Sequence, residues 1–140
     1  MPLSRIGALL AVAAVLPAQA GAQETLLEAA ETARRAWLAH DAAALAGQTT
    51  NLVLQIPGAD PSSPLGRAQA LELLRRYFRQ AEERGLDVTA VREVEPGRGF
   101  VELTRRYVIV GTNELRRETL FLAFRQLGTV WRLVELRSAP

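Results

Sequence analysis

At 140 residues, with 17 arginines, no lysine, 15 acidic groups and a formal charge of +2, the chain has the length of one modest domain and lacks the charge excess of a nucleic-acid binder. Cysteine is absent, which excludes disulfides, a thiol nucleophile, thiolate-bound zinc and a lipid-modified cysteine. Stability has to come from packing.

Arg5 precedes an unbroken apolar run of 11 residues, Ile6 to Leu16, and then Pro17 and the small residues Ala18-Gln19-Ala20-Gly21-Ala22. That order is the basic, apolar and small-residue succession of a secretory leader, with cleavage after Ala22 or after Ala20. The apolar run is too short to cross a bilayer core, which takes about 20 residues as a helix. The expectation is an exported protein, periplasmic or extracellular: a signal peptide over 1-22, a single domain over 23-140, and no membrane anchor once the leader is removed. Without Arg5, 16 basic groups balance 15 acidic ones, so nucleic acid is not an expected partner.

From Glu24 to His40, Leu26, Ala30, Ala33 and Trp37 recur every three or four residues, which predicts a helix with one buried stripe. Asp41 is an N-cap for a short second helix, Ala42 to Ala46, closed by Gly47. Asn51 to Ile56 reads as a first strand bounded by Pro57-Gly58, and Ala59 to Gly66 as a loop. A third helix begins at Ser63-Pro64 or Gly66-Arg67. It carries Leu71, Leu74, Phe78 and Ala81 on one face, with Ala70 and Tyr77 at its flanks, and stops at Gly85. Its other side, including Glu82 and Glu83, reads as solvated. The remainder reads as four meandering strands, Leu86 to Val94, Phe100 to Val110, Leu115 to Arg125 and Val130 to Arg137, joined by turns at 96–99, 111–113 and 127–128.

Alternation in the middle strands is impure. Val101, Leu103, Tyr107 and Ile109 share one side of their strand, while Phe100, Val108 and Val110 occupy the other. A sheet covered on one face alternates more cleanly. The two explanations are a homodimer through the second sheet face and β-bulges that shift the pattern.

Three stretches carry a resemblance. Leu38-Ala39-His40-Asp41-Ala42-Ala43-Ala44-Leu45 resembles the helix corner of the NTF2-like, or cystatin-like cone, superfamily. Gly66-Arg67-Ala68-Gln69-Ala70 resembles the start of its third helix, and Gly128 to Arg137 its Gly-x-x-Trp-Arg last strand. With the leader and the Asn-Leu-Val-Leu-Gln-Ile strand, the chain is most similar to the exported DUF4783 and SnoaL-like domains of that superfamily. The resemblance spans residues 24 to 138. It implies an α+β cone, helices packed on a curved antiparallel sheet in the order α-α-β-α-β-β-β-β, with a cavity between helices and concave face. Members use that cavity for catalysis, for ligand binding or for no known purpose, so the fold does not choose the function.

Ketosteroid isomerase chemistry requires a carboxylate base, with a tyrosine and a neutral acid facing the oxyanion. Alignment on Asp41 places Ala33 near the tyrosine position and Ile56, or Gln55, near the base, and none of the three does that work. His40 is the sole histidine, a solvent-side residue at a helix end by default and insufficient for a metal site with Asp41 facing elsewhere. No glycine-rich phosphate loop, nucleophile elbow or aromatic-basic patch is present.

The pocket candidates are Trp37, Phe78, Arg105, Tyr107, Arg117, Glu118 and Glu135, with no catalytic set, metal or cofactor assigned. Arg105 falls among apolar neighbours, so it has to be paired, with Glu118 or Glu135, or has to meet an anionic ligand beside Tyr107. The resulting reading is a non-enzymatic module that binds a small apolar or anionic ligand or a protein partner. The alternative is a SnoaL-like isomerase, cyclase or dehydratase working by general acid-base catalysis through Tyr107, Glu118, Arg105 and His40.

Overall fold

A computed structural model describes residues 23–56 and 60–140. The expected leader over 1-22 and the Pro57-Gly58 turn lie outside the described residues. Helix α1 (Leu26–Leu38) starts two residues inside the expected limit because Thr25 and Glu28 form a capping box: Thr25 Oγ1 accepts from the Glu28 amide at 3.0 Å, and the Thr25 amide donates to Glu28 Oε2 at 3.2 Å. Ala29, Ala30, Ala33, Ala36 and Trp37 make its buried stripe. Its other end is a Schellman closure. The His40 amide donates to Trp37 O and the Asp41 amide to Ala36 O, both at 2.8 Å, with His40 in the left-handed region at φ 54°. Asp41 then caps α2 (Ala42–Ala46), which ends at Gly47, φ 59°.

Strand β1 (Val53–Gln55) is followed by α3 (Arg67–Arg79), whose buried face is Ala70, Leu71, Leu74 and Phe78. The helix ends earlier than expected. Gln80 alone separates it from β2 (Ala81–Glu95), so Ala81, Glu82 and Glu83 are strand and Gly85 lies within it. The composition of 81–84 suits a helix, but antiparallel pairing of Ala81 with Ile109 and Glu83 with Tyr107 overrides it.

Strands β3 (Arg98–Ile109), β4 (Leu115–Leu127) and β5 (Val130–Ala139) continue the meander, and the sheet order is β1-β5-β4-β3-β2. The sheet is mixed, because β1 runs parallel to β5, with Leu54 opposite Leu136. Cross-strand rows line the concave face: Leu86, Arg105 and Glu118; then Val88, Leu103, Leu120 and Ser138; then Val91, Val101, Leu122 and Leu136. These rows and the stripes of α1 and α3 form one core around Trp37, Leu74 and Phe78.

Register shifts fall in β2, between Glu83 and Gly85, Val88 and Ala90, and Glu93 and Glu95, and in the β4–β5 pairing at Val134. None falls between β3 and β4. Bulges therefore do not account for the impure alternation of those two strands, and Phe100 and Phe121, each 39% exposed, stand on the outer face. Among the described residues no helix is long and apolar enough to cross a membrane.

Candidate functional site

Arg105 is 1% exposed and sits in the middle of β3 on the concave face. Its neighbour across the β3–β4 ladder is Glu118, 4% exposed, and Nη1 donates to Glu118 Oε1 at 3.0 Å. From β2, Glu83 takes the other side of the guanidinium: Nε donates to its Oε2 at 2.9 Å and Nη2 to its Oε1. Two nearly parallel N–H bonds to one carboxylate make a strong, orientation-fixing contact. The guanidinium also lies 3.9 Å from the Tyr107 ring centre, 4.9 Å from Trp37 and 5.1 Å from Tyr77, within cation–π range.

Glu118 gathers the hydroxyls. Its Oε1 accepts from Tyr77 Oη at 2.5 Å and Ser138 Oγ at 2.7 Å in addition to Arg105, and its Oε2 accepts from Tyr107 Oη at 2.9 Å. Burial alone would raise the Glu118 pKa, but the Tyr77 and Ser138 hydroxyls and the Arg105 charge outweigh it and hold the carboxyl below the ordinary 4.5. The tyrosines move the other way. Burial, and then the bond to Glu118, pushes Tyr77 well above its ordinary 10.0, and the same causes raise Tyr107. For Arg105, the desolvation that disfavours its charge is overcome by Glu83, and its pKa is raised. The cluster thus sets an ionised Glu118 and the Arg105 guanidinium against two phenols held in their neutral form, with Glu83 on the other side of the guanidinium.

His40 closes the cluster at the helix corner. Its Nε2 lies 3.1 Å from Glu83 Oε1, and its ring stacks on Phe78 with centres 4.7 Å apart and planes 3° from parallel. This corrects the solvent-side reading of His40. A left-handed residue at the helix end normally favours glycine, and here the histidine gains a stack and a hydrogen bond from the position. Phe78 and Tyr77 in turn pack edge-on against Trp37, at 5.0 and 5.9 Å.

A cavity of about 600 Å³ opens between α3 and the concave face. Its walls include Leu54, Leu73, Leu74, Ile109 and Leu136, its buried end presents Tyr77, Tyr107 and Glu118, and its exposed side carries Asp60, Arg76 and Arg116. Of the seven pocket candidates, Tyr107 and Glu118 line this cavity, and Trp37, Phe78 and Arg105 join them in the cluster behind it without lining it. Arg117 and Glu135 do neither. Arg117 has the opposite strand parity to Glu118 and is exposed. Glu135 is turned outward by the bulge at Val134, which leaves Leu133 and Leu136 buried and Glu135 bonded to Arg137 at 2.5 Å. Arg105 therefore pairs with Glu118 and not with Glu135. Glu83, Tyr77 and Ser138 were not anticipated as members of the cluster.

No family model matches the chain, and no curated protein does. Solved structures do. A ketosteroid isomerase-like protein from Erwinia carotovora atroseptica superposes with a TM-score of 0.67 at 16% identity, covering 81% of this chain and 92% of that one. A DUF4783 family protein from Bacteroides ovatus gives 0.64 at 14%, covering 77% and 91%. An NTF-2 like protein of unknown function from Shewanella oneidensis gives 0.59 at 13%, covering 81% and 95%. The chain has the NTF2-like cone fold. At these identities the likeness is one of fold, and the cone's contents have to be judged on their own chemistry. In this cone Ala33 is buried in α1, and Ile56, which is exposed, and Leu54 line the cavity. The polar end is instead built by α3, β3, β4 and the end of β5 around Glu118.

Proposed function

We propose that the protein is an exported binding module that holds a small, mainly apolar ligand in the cone cavity and does no chemistry on it. One observation carries this reading: an apolar-walled cavity of about 600 Å³ ends in a carboxylate already bonded to four side chains and held ionised. A general base works best with a pKa near the operating pH and with its lone pairs free for the proton it removes. Glu118 has its pKa displaced the wrong way, and three of its bonds converge on one oxygen. The phenols, raised as they are, serve as donors rather than as bases. The acid-base alternative through Tyr107, Glu118, Arg105 and His40 is less well supported on those grounds.

Native mass spectrometry of the protein from its own host tests the reading, with uptake of the neutral probe N-phenyl-1-naphthylamine as a second measurement. A retained small molecule, and probe uptake reduced in Ile109→Trp, are the expected results. An empty mass together with no probe uptake overturns the reading.

We further propose that two copies associate through the outer sheet face. The support is Phe100 and Phe121, which stand there beside Ala123 in a shallow groove also lined by Gln55 and Arg137. Light scattering is expected to give a dimer that Phe121→Glu dissociates, and a monomer at high concentration refutes it.

A further inference from the structure

The buried end of the cavity has a sign. Glu83, Glu118 and Arg105 sum to one negative charge when the His40 imidazole is neutral and to zero when it is protonated. In neither state is it positive. The donors that line the cavity at this end, the Tyr77 and Tyr107 hydroxyls, are also committed, as is the guanidinium behind them. Arg105 directs Nε and Nη2 to Glu83 and Nη1 to Glu118 and Tyr77, and both phenol hydroxyls are given to Glu118. A ligand carboxylate arriving at this end would meet two hydroxyls already given to Glu118 and no excess positive charge, because Trp37, whose Nε1 has no partner, and Arg105 do not line the cavity.

An acceptor remains. An ionised carboxylate offers about four lone-pair sites, two on each oxygen. Oε1 of Glu118 takes three donors, whereas Oε2 takes only Tyr107. We propose that the cavity takes a ligand whose apolar body ends in a hydrogen-bond donor, a protonated amine before a hydroxyl, seated against Glu118 Oε2. This rests on the reading of the cavity as a binding site and names the class of ligand. The exposed arginines on the open side do not reverse the preference. Arg76 is paired with Glu72 at 3.1 Å and Arg116 with Glu114 at 3.3 Å, and exposed charges are screened by water and salt far more than a buried one.

The test is calorimetric titration of the full chain without its leader with three probes of one chain length, octylammonium, octanol and octanoate, at matched ionic strength. Octylammonium is expected to bind at least about tenfold more tightly than octanoate, with octanol between them. Asp60→Asn, at the exposed carboxylate of the same cavity, is expected to keep that order, and Glu118→Gln to erase it. Should Glu118→Gln fail to fold, the wild-type order and the Asp60→Asn control still decide. Equal affinities, octanoate binding most tightly, or a preference lost in Asp60→Asn overturns the amine assignment while leaving the cavity a binding site. Failure of all three probes and of N-phenyl-1-naphthylamine to bind overturns both.

Discussion

Replacing Arg105 by leucine strands two carboxylates, since Glu83 and Glu118 are held on either side of the same guanidinium in a region almost without solvent. Removing one partner of a buried ion pair costs about 3–5 kcal/mol, because the remaining charge is left without compensation. A domain of this size has a total stability of only about 5–15 kcal/mol. At about 4 °C per kcal/mol, the melting temperature of Arg105→Leu is expected to fall by about 12–20 °C at pH 7. The pH dependence follows from the direction of the Glu118 shift. Its folded pKa lies below the ordinary 4.5, so its contribution is present above that value and is lost as the pH falls through the folded pKa. In Arg105→Leu the stranded carboxylates are relieved by taking up protons, so the gap between wild type and variant narrows on acidification. Urea denaturation of both proteins between pH 7 and pH 4 measures it, and adding Glu83→Gln to the variant is expected to return part of the loss. A deficit below about 1 kcal/mol at pH 7, in the range of an exposed ion pair, or a gap that widens in acid, refutes the argument.

The two tyrosines are expected to remain un-ionised at pH 10, where an ordinary phenol is half ionised, because burial and Glu118 raise both. Half of the phenolate absorbance near 295 nm appearing by that pH in folded protein contradicts the site geometry. A raised folded pKa also means that this contribution to stability is present below pH 10 and lost above it as the folded pKa is passed. Thr25→Ala removes one arm of the α1 capping box and is expected to lower stability by about 1 kcal/mol in a denaturant titration. Gly99→Ala places a Cβ 2.7 Å from Leu26 Cδ1, and overpacking at the α1–β3 contact is expected to cost about 1–3 kcal/mol by the same measurement.

The parts of this fold that sequence makes legible are those with a single, uninterrupted period. Leu71, Leu74 and Phe78 specify the inner face of α3, and Val101, Leu103 and Arg105 that of β3, because each set repeats without a break. The site is harder to see because it is assembled where the period changes. Glu83 reads as a helical surface residue only while α3 is extended to Gly85. Once the strand begins at Ala81, positions 81 and 83 point inward, and the extra residue at Arg84 hands that direction on to Leu86. Ala81, Glu83, Leu86 and Val88 carry that signal, but only to a reader who already allows for a bulge. Glu135 is lost for the same reason at Val134, and Arg117 because adjacent strand positions cannot both face the cavity. Ser138 lies one residue beyond the expected strand end and enters the cluster only through its register with Leu120.

The one-residue junction at Gln80 has a mechanical consequence. Helix α3 passes straight into the edge strand of the sheet it covers, so the helix cannot swing outward like a hinged lid without peeling β2 from β3 across their shared ladder. The gauge of the hollow is then fixed by how tightly the sheet coils, and that coiling is governed by the extra residues in β2. Trimming or adding a residue there is the route by which this scaffold would come to accommodate a narrower or a broader guest.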